Sequence, residues 1–352
     1  MKKSIRTFLK HPTKDSSNRS ANPAVIRAST ILFNTMQELY NHEKKIKKHQ
    51  RVSHYSYGRY GSSTTIELEN MLKELEQAFH VFLTGTGFGG VALAIMSLCR
   101  PGDEILVSDN VYGPTKEISE KLLKEFNVLA KFYNPDSFED LKNKVTNKTK
   151  LILVENPGSN TFEFQDLSKI IKLAKVKKIF TFLDNTWGTP LYLKPLKLGF
   201  DMSFSSATKY FSGHSDAMGG SLAVNKKVFK QIMFFYKLSG YRMSADEAYL
   251  IIRGLRTLDV RLKKHYENTK IVINFLKRQK KIKEILYPYK PSSKSYKLWK
   301  KYYTGANGLF SIVIKSKSKS SVFKFVNSLE LFGIGYSWGG FESLALHQDK
   351  RE

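Results

Sequence analysis

The alternation of short apolar runs with helix-compatible segments is the feature that most restricts how this 352-residue chain can fold. From about residue 62, a helical stretch (TTIELENMLKELEQAF) precedes the apolar runs EILVSDN, KLILVENPG and KIFTFLDNT, and lysine-bearing segments separate these runs. Parallel strands require long crossover connections, usually helices, and strands buried on both faces are apolar along their length. The pattern therefore predicts an α/β protein whose mostly parallel sheet is covered by helices on both faces.

Two further parts flank this pattern. The polar, loop-like stretch HPTKDSSNRSANP predicts that residues 1–60 form an N-terminal arm, followed by the large α/β domain over residues 61–254. Residues 305–314 and the following SSVFKFVNSLELFGIGYSW have the patterns of a strand, a helix and another strand. Residues 255–352 are therefore expected to form a smaller α+β domain.

The formal net charge of +27 raises the question of whether the chain binds nucleic acid. The lysines are spread along the whole chain, and no zinc-finger, RNP or basic-zipper pattern accompanies them. Such a distribution is typical of solvated helix faces. The sequence thus predicts no nucleic-acid partner, and the remaining interpretation of the charge is an electrostatic field that attracts an anionic ligand or cofactor.

Cysteine usage and the N-terminal sequence indicate the compartment. The single cysteine, Cys99, cannot form a disulfide within the chain, and no apolar run of signal-peptide length follows MKKSIRTFLK. A cytoplasmic protein is expected, with Cys99 as a small core residue and no membrane span. His214 lies near Asp216, but no second histidine has ligand spacing, so a structural hydrogen bond is expected at His214 and no metal site.

Polar residues follow the apolar runs where each strand should end. Asp109 and Tyr112 follow EILVS, residues 155–159 follow LILV, and Asp184 with Asn185 follows IFTFL. In an open parallel sheet, ligands bind at the carboxyl ends of the strands. For any one of these acids the sequence leaves two interpretations open, a ligand-binding group or an N-cap of the next helix.

Several groups suited to one cofactor converge on this edge. The glycine-rich helix start TGTGFGGVALAIM at 84–96 offers backbone N–H groups to a phosphate, and the hydroxyls of Ser206 and Thr208 flank Lys209. Asp184 can keep a heteroaromatic nitrogen protonated, and the tyrosine after EILVS can stack on a ring. A phosphate site, an acid, an aromatic ring and a lysine amine together are what pyridoxal phosphate (PLP) requires.

The motifs occur in the order YGRYG, TGF, DNVYGPT, ENPGSNT, LDNTWGTP, SATKYFSGHSD, RGLRTL and YSWGGFESL. In this order the chain resembles the Cys/Met-metabolism family of PLP-dependent enzymes from about residue 22 to its C-terminus. The SATKY and GHSD sequences are highly specific for the family, and YSWGG with ESL is typical of its β-lyase branch. The resemblance implies fold type I of the PLP-dependent transferases, the aspartate aminotransferase-like fold.

Residue roles follow from the resemblance position by position. It implies that Lys209 joins the cofactor covalently and later moves the substrate Cα proton, that Asp184 pairs with the ring nitrogen, and that Tyr112 stacks on the ring. The implied phosphate-binding residues are Gly87, Phe88, Ser206 and Thr208, joined by Tyr57 and Arg59 from a neighbouring subunit. The implied substrate-side residues are Tyr236, Tyr336, Ser337 and Trp338. A shared site implies at least a homodimer, and the family typically forms a tetramer of two dimers.

The resemblance implies β-elimination of cystathionine to homocysteine, pyruvate and ammonia, a carbon–sulfur lyase reaction of methionine biosynthesis. Other activities of the family remain open: a γ-lyase, a γ-synthase or a cysteine desulfhydrase. From a different class, an inactive remnant that binds anions or nucleic acid is the alternative. The family pattern also includes a C-terminal arginine, in an R-L-x-x-G-L-E-D context, that binds the substrate carboxylate. Arg351 lacks this context, so reduced turnover is expected relative to a chain extended by such a tail.

Overall fold

The computed structural model describes residues 4–10, 20–50, 52–316 and 318–349, and these contain nine strands. Arg351 and most of the polar stretch at 11–23 lie outside them. The strands are β1 (His80–Thr84), β2 (Glu104–Ser108), β3 (Leu129–Tyr133), β4 (Thr149–Glu155), β5 (Phe180–Asp184), β6 (Met202–Ser206), β7 (Gly220–Val224), β8 (Ile282–Leu286) and β9 (Ser311–Ile314).

Fifteen α-helices connect or flank these strands in the described ranges. They are α1 (Ile5–Lys10), α2 (Met36–Lys47), α3 (Ser63–Glu76), α4 (Gly87–Leu98), α5 (Gly113–Glu117), α6 (Leu123–Glu125), α7 (Phe138–Lys144), α8 (Leu167–Lys177), α9 (Thr189–Tyr192), α10 (Pro195–Leu198), α11 (Lys226–Ser239), α12 (Ala245–Leu255), α13 (Leu258–Leu276), α14 (Lys294–Tyr302) and α15 (Lys319–Asn327). A 3-10 turn spans Gly58–Tyr60, and a π-helical turn at Ile118–Leu122 joins α5 to α6.

The large sheet has seven strands in the order β1-β7-β6-β5-β4-β2-β3. Strands β3, β2, β4, β5 and β6 are parallel, whereas β7 is antiparallel to both β6 and β1. The predicted mostly parallel α/β sheet is confirmed. The three apolar runs of the sequence become β2, β4 and β5, and the predicted helical stretch becomes α3.

Helices cover both faces of the sheet. Successive side chains of each strand point to opposite faces, and this alternation decides which helices each side chain packs against. On one face, α4 and α11 pack on Phe204 and Leu222, and on the other α3 and α12 pack near Leu83 and Ala223. Leu72 of α3 is fully buried in the second layer. Burying a leucine of this kind stabilises a fold by about 1.5–3 kcal/mol relative to leaving it in water.

The C-terminal part packs directly against the sheet. Trp299 and Tyr303 belong to the same buried cluster as Leu106 of β2 and Ile152 of β4. Strands β8 and β9 pair antiparallel to form the separate small sheet. The domain division between residues 254 and 255 stays a prediction, since α13 beyond it also contributes buried residues to the core that contains α3 and α12.

The prediction of a strand after α15 is wrong. The sequence predicts a strand after the helix at α15, but residues 328–349 contain only an isolated bridge between Gly333 and Leu344. Glycines at 333, 335, 339 and 340 interrupt this segment, and glycine lowers the stability of a strand interior.

In the described ranges, no helix is both long enough and apolar enough to cross a membrane. A cytoplasmic location stays a prediction.

Candidate active site

The carboxyl ends of three neighbouring strands bring the polar residues of the site together. Glu155 ends β4 and pairs in register with Asp184, which ends β5. Asp184 in turn lies beside Phe204 of β6, two residues before Ser206. Because these strands are parallel, their carboxyl ends lie at one edge of the sheet. The expectation that polar residues meet there is confirmed for these positions.

Asp184 is held in place by a residue that sequence reasoning missed. The backbone N–H of Thr186 donates to Asp184 Oδ1 at 2.9 Å, and the Thr186 hydroxyl donates to the same oxygen at 2.5 Å. The Thr186 oxygen also accepts a 2.9 Å bond from the backbone N–H of Ser206. Burial raises the pKa of Asp184 to about 6, while the Thr186 bonds and the positive charge of Lys209 act to lower it. A hydroxyl two residues after an acid is a local turn signal that could have indicated Thr186.

Lys209 lies in the segment that follows β6, and its amine is directed toward the C-terminal part of the chain. Its Nζ donates a 2.7 Å hydrogen bond to Ser337 Oγ and lies 5.4 Å from the ring centroid of Trp338. Burial lowers the pKa of Lys209 to about 8, and the Asp184 carboxylate acts in the opposite direction. Half-buried and with a lowered pKa, this amine differs from an ordinary surface lysine.

The start of α4 forms a narrow cradle beside Ser206. Thr86 caps this helix, with its hydroxyl accepting from the N–H of Gly89 at 3.0 Å. A Cβ at Gly87 would lie 2.5 Å from Ser206 Oγ, and one at Gly220 would lie 2.7 Å from the Thr86 carbonyl oxygen. Glycine is thus required for the backbone to approach so closely. Helix-start N–H groups next to a hydroxyl are suited to a phosphate group.

The other residues predicted to bind the phosphate differ in their positions and contacts. The Thr208 hydroxyl accepts a 3.0 Å bond from the N–H of Gly219, so it supports the turn that follows Lys209. Phe88 is in the first turn of α4 and is 39% exposed. The Arg59 guanidinium lies over the Tyr60 and Tyr57 rings at 4.8 and 5.8 Å from their centroids. In the described part of the chain, Tyr57 and Arg59 make no hydrogen bond or ring contact with Lys209 or Ser206, and their predicted cofactor role stays a prediction.

Tyr112 caps α5 at the sheet edge. Its backbone N–H donates to Glu155 Oε2 at 2.6 Å, and its side chain is 51% exposed. The ring is therefore free to stack on a ligand. Of the residues predicted to lie on the substrate side, Ser337 and Trp338 contact Lys209, whereas Tyr336 is 89% exposed.

Tyr236 does not lie beside Lys209, Ser337 and Trp338. It lies in the core of the layer formed by α4 and α11, its ring 5.2 Å from that of Phe82, and its hydroxyl donates to the Leu83 carbonyl at 2.8 Å. Its predicted place on the substrate side gains no support from these contacts.

His214 Nδ1 is hydrogen bonded to the Ser212 carbonyl at 2.7 Å, which agrees with the structural role expected for it.

A family model for Cys/Met metabolism PLP-dependent enzymes matches residues 7–352. The chain belongs to this family. Its cofactor is therefore PLP, and the α4 cradle, Asp184 and Lys209 fit the phosphate, the ring nitrogen and the aldehyde of that cofactor in chemical type.

Named relatives of this Cys/Met family member differ in activity. A cystathionine beta-lyase of Bordetella avium is 35% identical over 97% of this chain and 87% of its own length. An L-alanine/L-glutamate racemase of Wolbachia pipientis wMel is 36% identical over 94% of this chain and 83% of its own length. Among solved structures, cystathionine gamma synthase from Xanthomonas oryzae pv. oryzae has a TM-score of 0.89 at 27% identity, covering 98% of this chain and 86% of that one.

Proposed function

We propose that this chain is a PLP-dependent carbon–sulfur β-lyase that acts on cystathionine and releases homocysteine, pyruvate and ammonia. The observation that carries the proposal is the Lys209 amine, which interacts with the Asp184 charge on one side and contacts Ser337 and Trp338 on the other. The name of the Bordetella avium relative supports the choice of reaction.

Asp184 and Lys209 have complementary tasks in this reaction. When bound, PLP accepts electron density from the substrate Cα as long as its ring nitrogen stays protonated. Among the described residues, both hydrogen bonds from Thr186 to the Asp184 carboxyl go to Oδ1, so Oδ2 is the oxygen that would hold the proton of that nitrogen. A carboxylate opposite a protonated ring nitrogen is an ion pair that stabilises the charged form of both groups.

Lys209 is the base that removes the substrate Cα proton. A lysine with the ordinary pKa of about 10.4 is protonated at neutral pH and cannot accept a proton. Burial lowers the pKa of Lys209 to about 8, so a useful fraction of the amine is neutral near neutrality. Ser337 accepts a hydrogen bond from the amine and thereby orients it, and the Trp338 ring beside it limits the access of water.

We further propose that the active unit is at least a homodimer in which Tyr57 and Arg59 serve the partner's site. The N-terminal arm supports this because α2 buries none of its side chains, while Leu32 and Met36 are 88% and 63% exposed. Clustered exposed apolar side chains mark interaction surfaces. Tyr57 is itself 46% exposed and thus accessible to a second subunit.

Product analysis tests the proposed reaction. Purified enzyme with its cofactor should convert L-cystathionine to pyruvate and homocysteine. Formation of 2-oxobutyrate and cysteine instead would assign γ-elimination, and pyruvate with hydrogen sulfide from cysteine alone would assign a desulfhydrase. Absence of any oxo acid, together with salt-sensitive binding to DNA, would replace the lyase by the inactive anion-binding alternative.

Racemisation of a small amino acid is a second candidate function, favoured by the 36% identity to the Wolbachia racemase. Racemisation needs one group to take the Cα proton and another to return a proton from the opposite face. Lys209 and the accessible Tyr112 hydroxyl are the two candidates. Chiral chromatography of L-alanine and L-glutamate after incubation distinguishes this activity, because it forms the D-isomers without pyruvate.

A further inference from the structure

Two segments that are distant in the chain lie against each other beside Lys209. The lysine loop, residues 206–216, follows β6, and the capping segment, residues 336–342, belongs to the C-terminal part. A Cβ at Gly339 would lie 3.1 Å from the Tyr210 backbone nitrogen and 3.2 Å from the Lys209 carbonyl carbon. The absence of a side chain at this glycine therefore lets the capping segment lie directly on the backbone of the lysine loop.

Ser337 makes its contact with the amine from an unfavourable backbone conformation. Its φ is +90°, outside the regions that residues with a side chain ordinarily adopt. Such strain, of about 1–3 kcal/mol, persists only when surrounding contacts over-determine the conformation. The bond to Lys209 and the packing of Trp338 and Gly339 on the lysine loop are contacts that can hold it there.

A second contact between the two segments lies at the other end of the capping segment. The Ser215 hydroxyl lies between the two carboxylate oxygens of Glu342, at 2.6 Å from Oε1 and 2.7 Å from Oε2. A Cβ at Gly340 would lie 2.1 Å from Ser215 Oγ and 2.4 Å from Glu342 Oε2, so this hydrogen bond requires glycine at 340. Ser215 itself has a positive φ of 57°, in the left-handed region.

We propose that Glu342 is a positioning residue for the Lys209 amine: through Ser215 it holds the capping segment on the lysine loop, so that the Ser337 hydroxyl stays at the amine. The Gly339 backbone contact and the Ser215–Glu342 bond are then two fixed points, and both follow the Lys209–Ser337 pair in the two segments. This inference rests on the proposed role of Lys209 as the base.

Loss of the Ser215–Glu342 bond has a defined consequence for the amine. Without it the capping segment relaxes, Ser337 leaves its strained conformation, and water reaches Lys209. Burial is the main cause of the lowered pKa of Lys209, and Asp184 is the charged group that opposes it. Added water therefore raises the pKa of Lys209 toward its ordinary value, and less of the amine is neutral at a given pH.

The test compares Glu342→Ala, Ser215→Ala, the double variant and Glu342→Gln with wild-type enzyme carrying its cofactor. Glu330→Ala is the matched control, because Glu330 is an exposed carboxylate in the same part of the chain. For each protein, kcat and KM for pyruvate release are measured across pH. Hydrogen exchange of residues 336–342 provides a readout that does not depend on turnover.

We expect Glu342→Ala and Ser215→Ala each to lower kcat at pH 7 by about tenfold, with KM nearly unchanged and the acid limb of the kcat profile moved to higher pH. The double variant should equal either single variant, because both remove one interaction. Exchange in the capping segment should become faster in these variants only. Glu342→Gln should retain most of the rate, since its amide oxygen still accepts the Ser215 hydroxyl.

Two results would overturn the inference: a Glu342→Ala profile that superimposes on that of Glu330→Ala, or effects of the two alanine variants that add in the double variant. If one variant does not fold, the other still tests the same bond. Failure of the proposed function is recognised separately. In that case the wild-type enzyme releases no pyruvate from cystathionine, whereas hydrogen exchange still reports whether Glu342 fixes the capping segment.

Discussion

The Lys209 amine donates a 2.7 Å hydrogen bond to the Ser337 hydroxyl, although the two residues are 128 positions apart in the chain. The bond joins the loop after β6 to the C-terminal part. The rings of Tyr210 and Trp338, the following residues, pack edge to face with 5.3 Å between their centroids. The position of the Lys209 amine therefore depends on how the C-terminal part packs against the large sheet.

Lys209→Ala should abolish the visible absorption band of the covalently bound cofactor in purified enzyme. The variant lacks the amine proposed to join the cofactor aldehyde, so any retained cofactor should absorb like the free compound. Lys226→Ala, which removes an exposed lysine at the start of α11, is the control and should keep the band. A wild-type band in Lys209→Ala would contradict the assignment of this lysine.

Gly87→Ala should weaken cofactor binding by about tenfold or more, because hydrogen bonds to a phosphate are charge-assisted and sensitive to position. The added Cβ would lie 2.5 Å from Ser206 Oγ and would push the helix start and this hydroxyl apart. Gly113→Ala is the matched control, since a Cβ there meets nothing within 4 Å. Absorbance titration of cofactor-free enzyme measures both affinities. Equal affinities would place the phosphate elsewhere.

The rate should depend on pH through the protonation of Lys209. Its pKa is lowered to about 8 by burial, and a base accepts a proton only in its neutral form. As pH falls below about 8, the neutral fraction decreases, and kcat should fall by about tenfold per pH unit. Measurement of kcat from about pH 6 to about pH 10 checks this predicted fall. A limb that lies near the ordinary lysine pKa would show that burial does not tune this amine.

Subunits that carry different substitutions should complement one another if sites are shared. A mixed dimer of Arg59→Ala and Lys209→Ala subunits has one intact site, and random mixing should restore about one quarter of wild-type activity. Ser206→Ala mixed with Lys209→Ala is the control, since both residues lie in the same subunit's site and no intact site forms. No recovery with Arg59→Ala would mean that this arginine acts within its own chain or not at all.

Glu76 should make the stability of the fold depend on pH. The side chain is fully buried at the end of α3, and in the described structure neither carboxyl oxygen has a hydrogen-bond partner, although the Ser203 hydroxyl lies nearby. Burial raises its pKa to about 8, above the value of an unfolded chain, so the folded state retains a proton that the unfolded state releases.

The contribution of protonated Glu76 is therefore full at acidic pH and is lost as pH rises from about 4.5 toward 8. We expect Glu76→Gln to reduce this pH dependence and to be the more stable protein at pH 8, by about 2 kcal/mol. Urea unfolding at several pH values measures the free energy of unfolding. A variant whose stability follows the same pH curve as wild type would show that folding does not change the pKa of Glu76.

The large sheet could be predicted in part, for reasons that individual strands make clear. Strand β4 reads LILV because both of its faces are buried, and so it is recognisable without tertiary information. Strand β6 has serines at 203 and 205 on the face that packs against α3, so it is not a continuous apolar run. For this reason the sequence did not predict β6 as a strand. The strand expected after α15 is absent because its apolar residues alternate with glycines and form irregular structure instead.

The linear order of motifs determined the family and the cofactor and predicted the roles of Lys209 and Asp184, because each motif is local and its chemistry depends on residue type. Only the tertiary structure decided what surrounds these groups. Tyr236 proved to be a core residue hydrogen bonded to Leu83, and Thr186 proved to bridge Asp184 and the backbone of Ser206. Burial and contacts between distant segments set the pKa and the orientation of an amine, and both arise only when the chain packs into three dimensions.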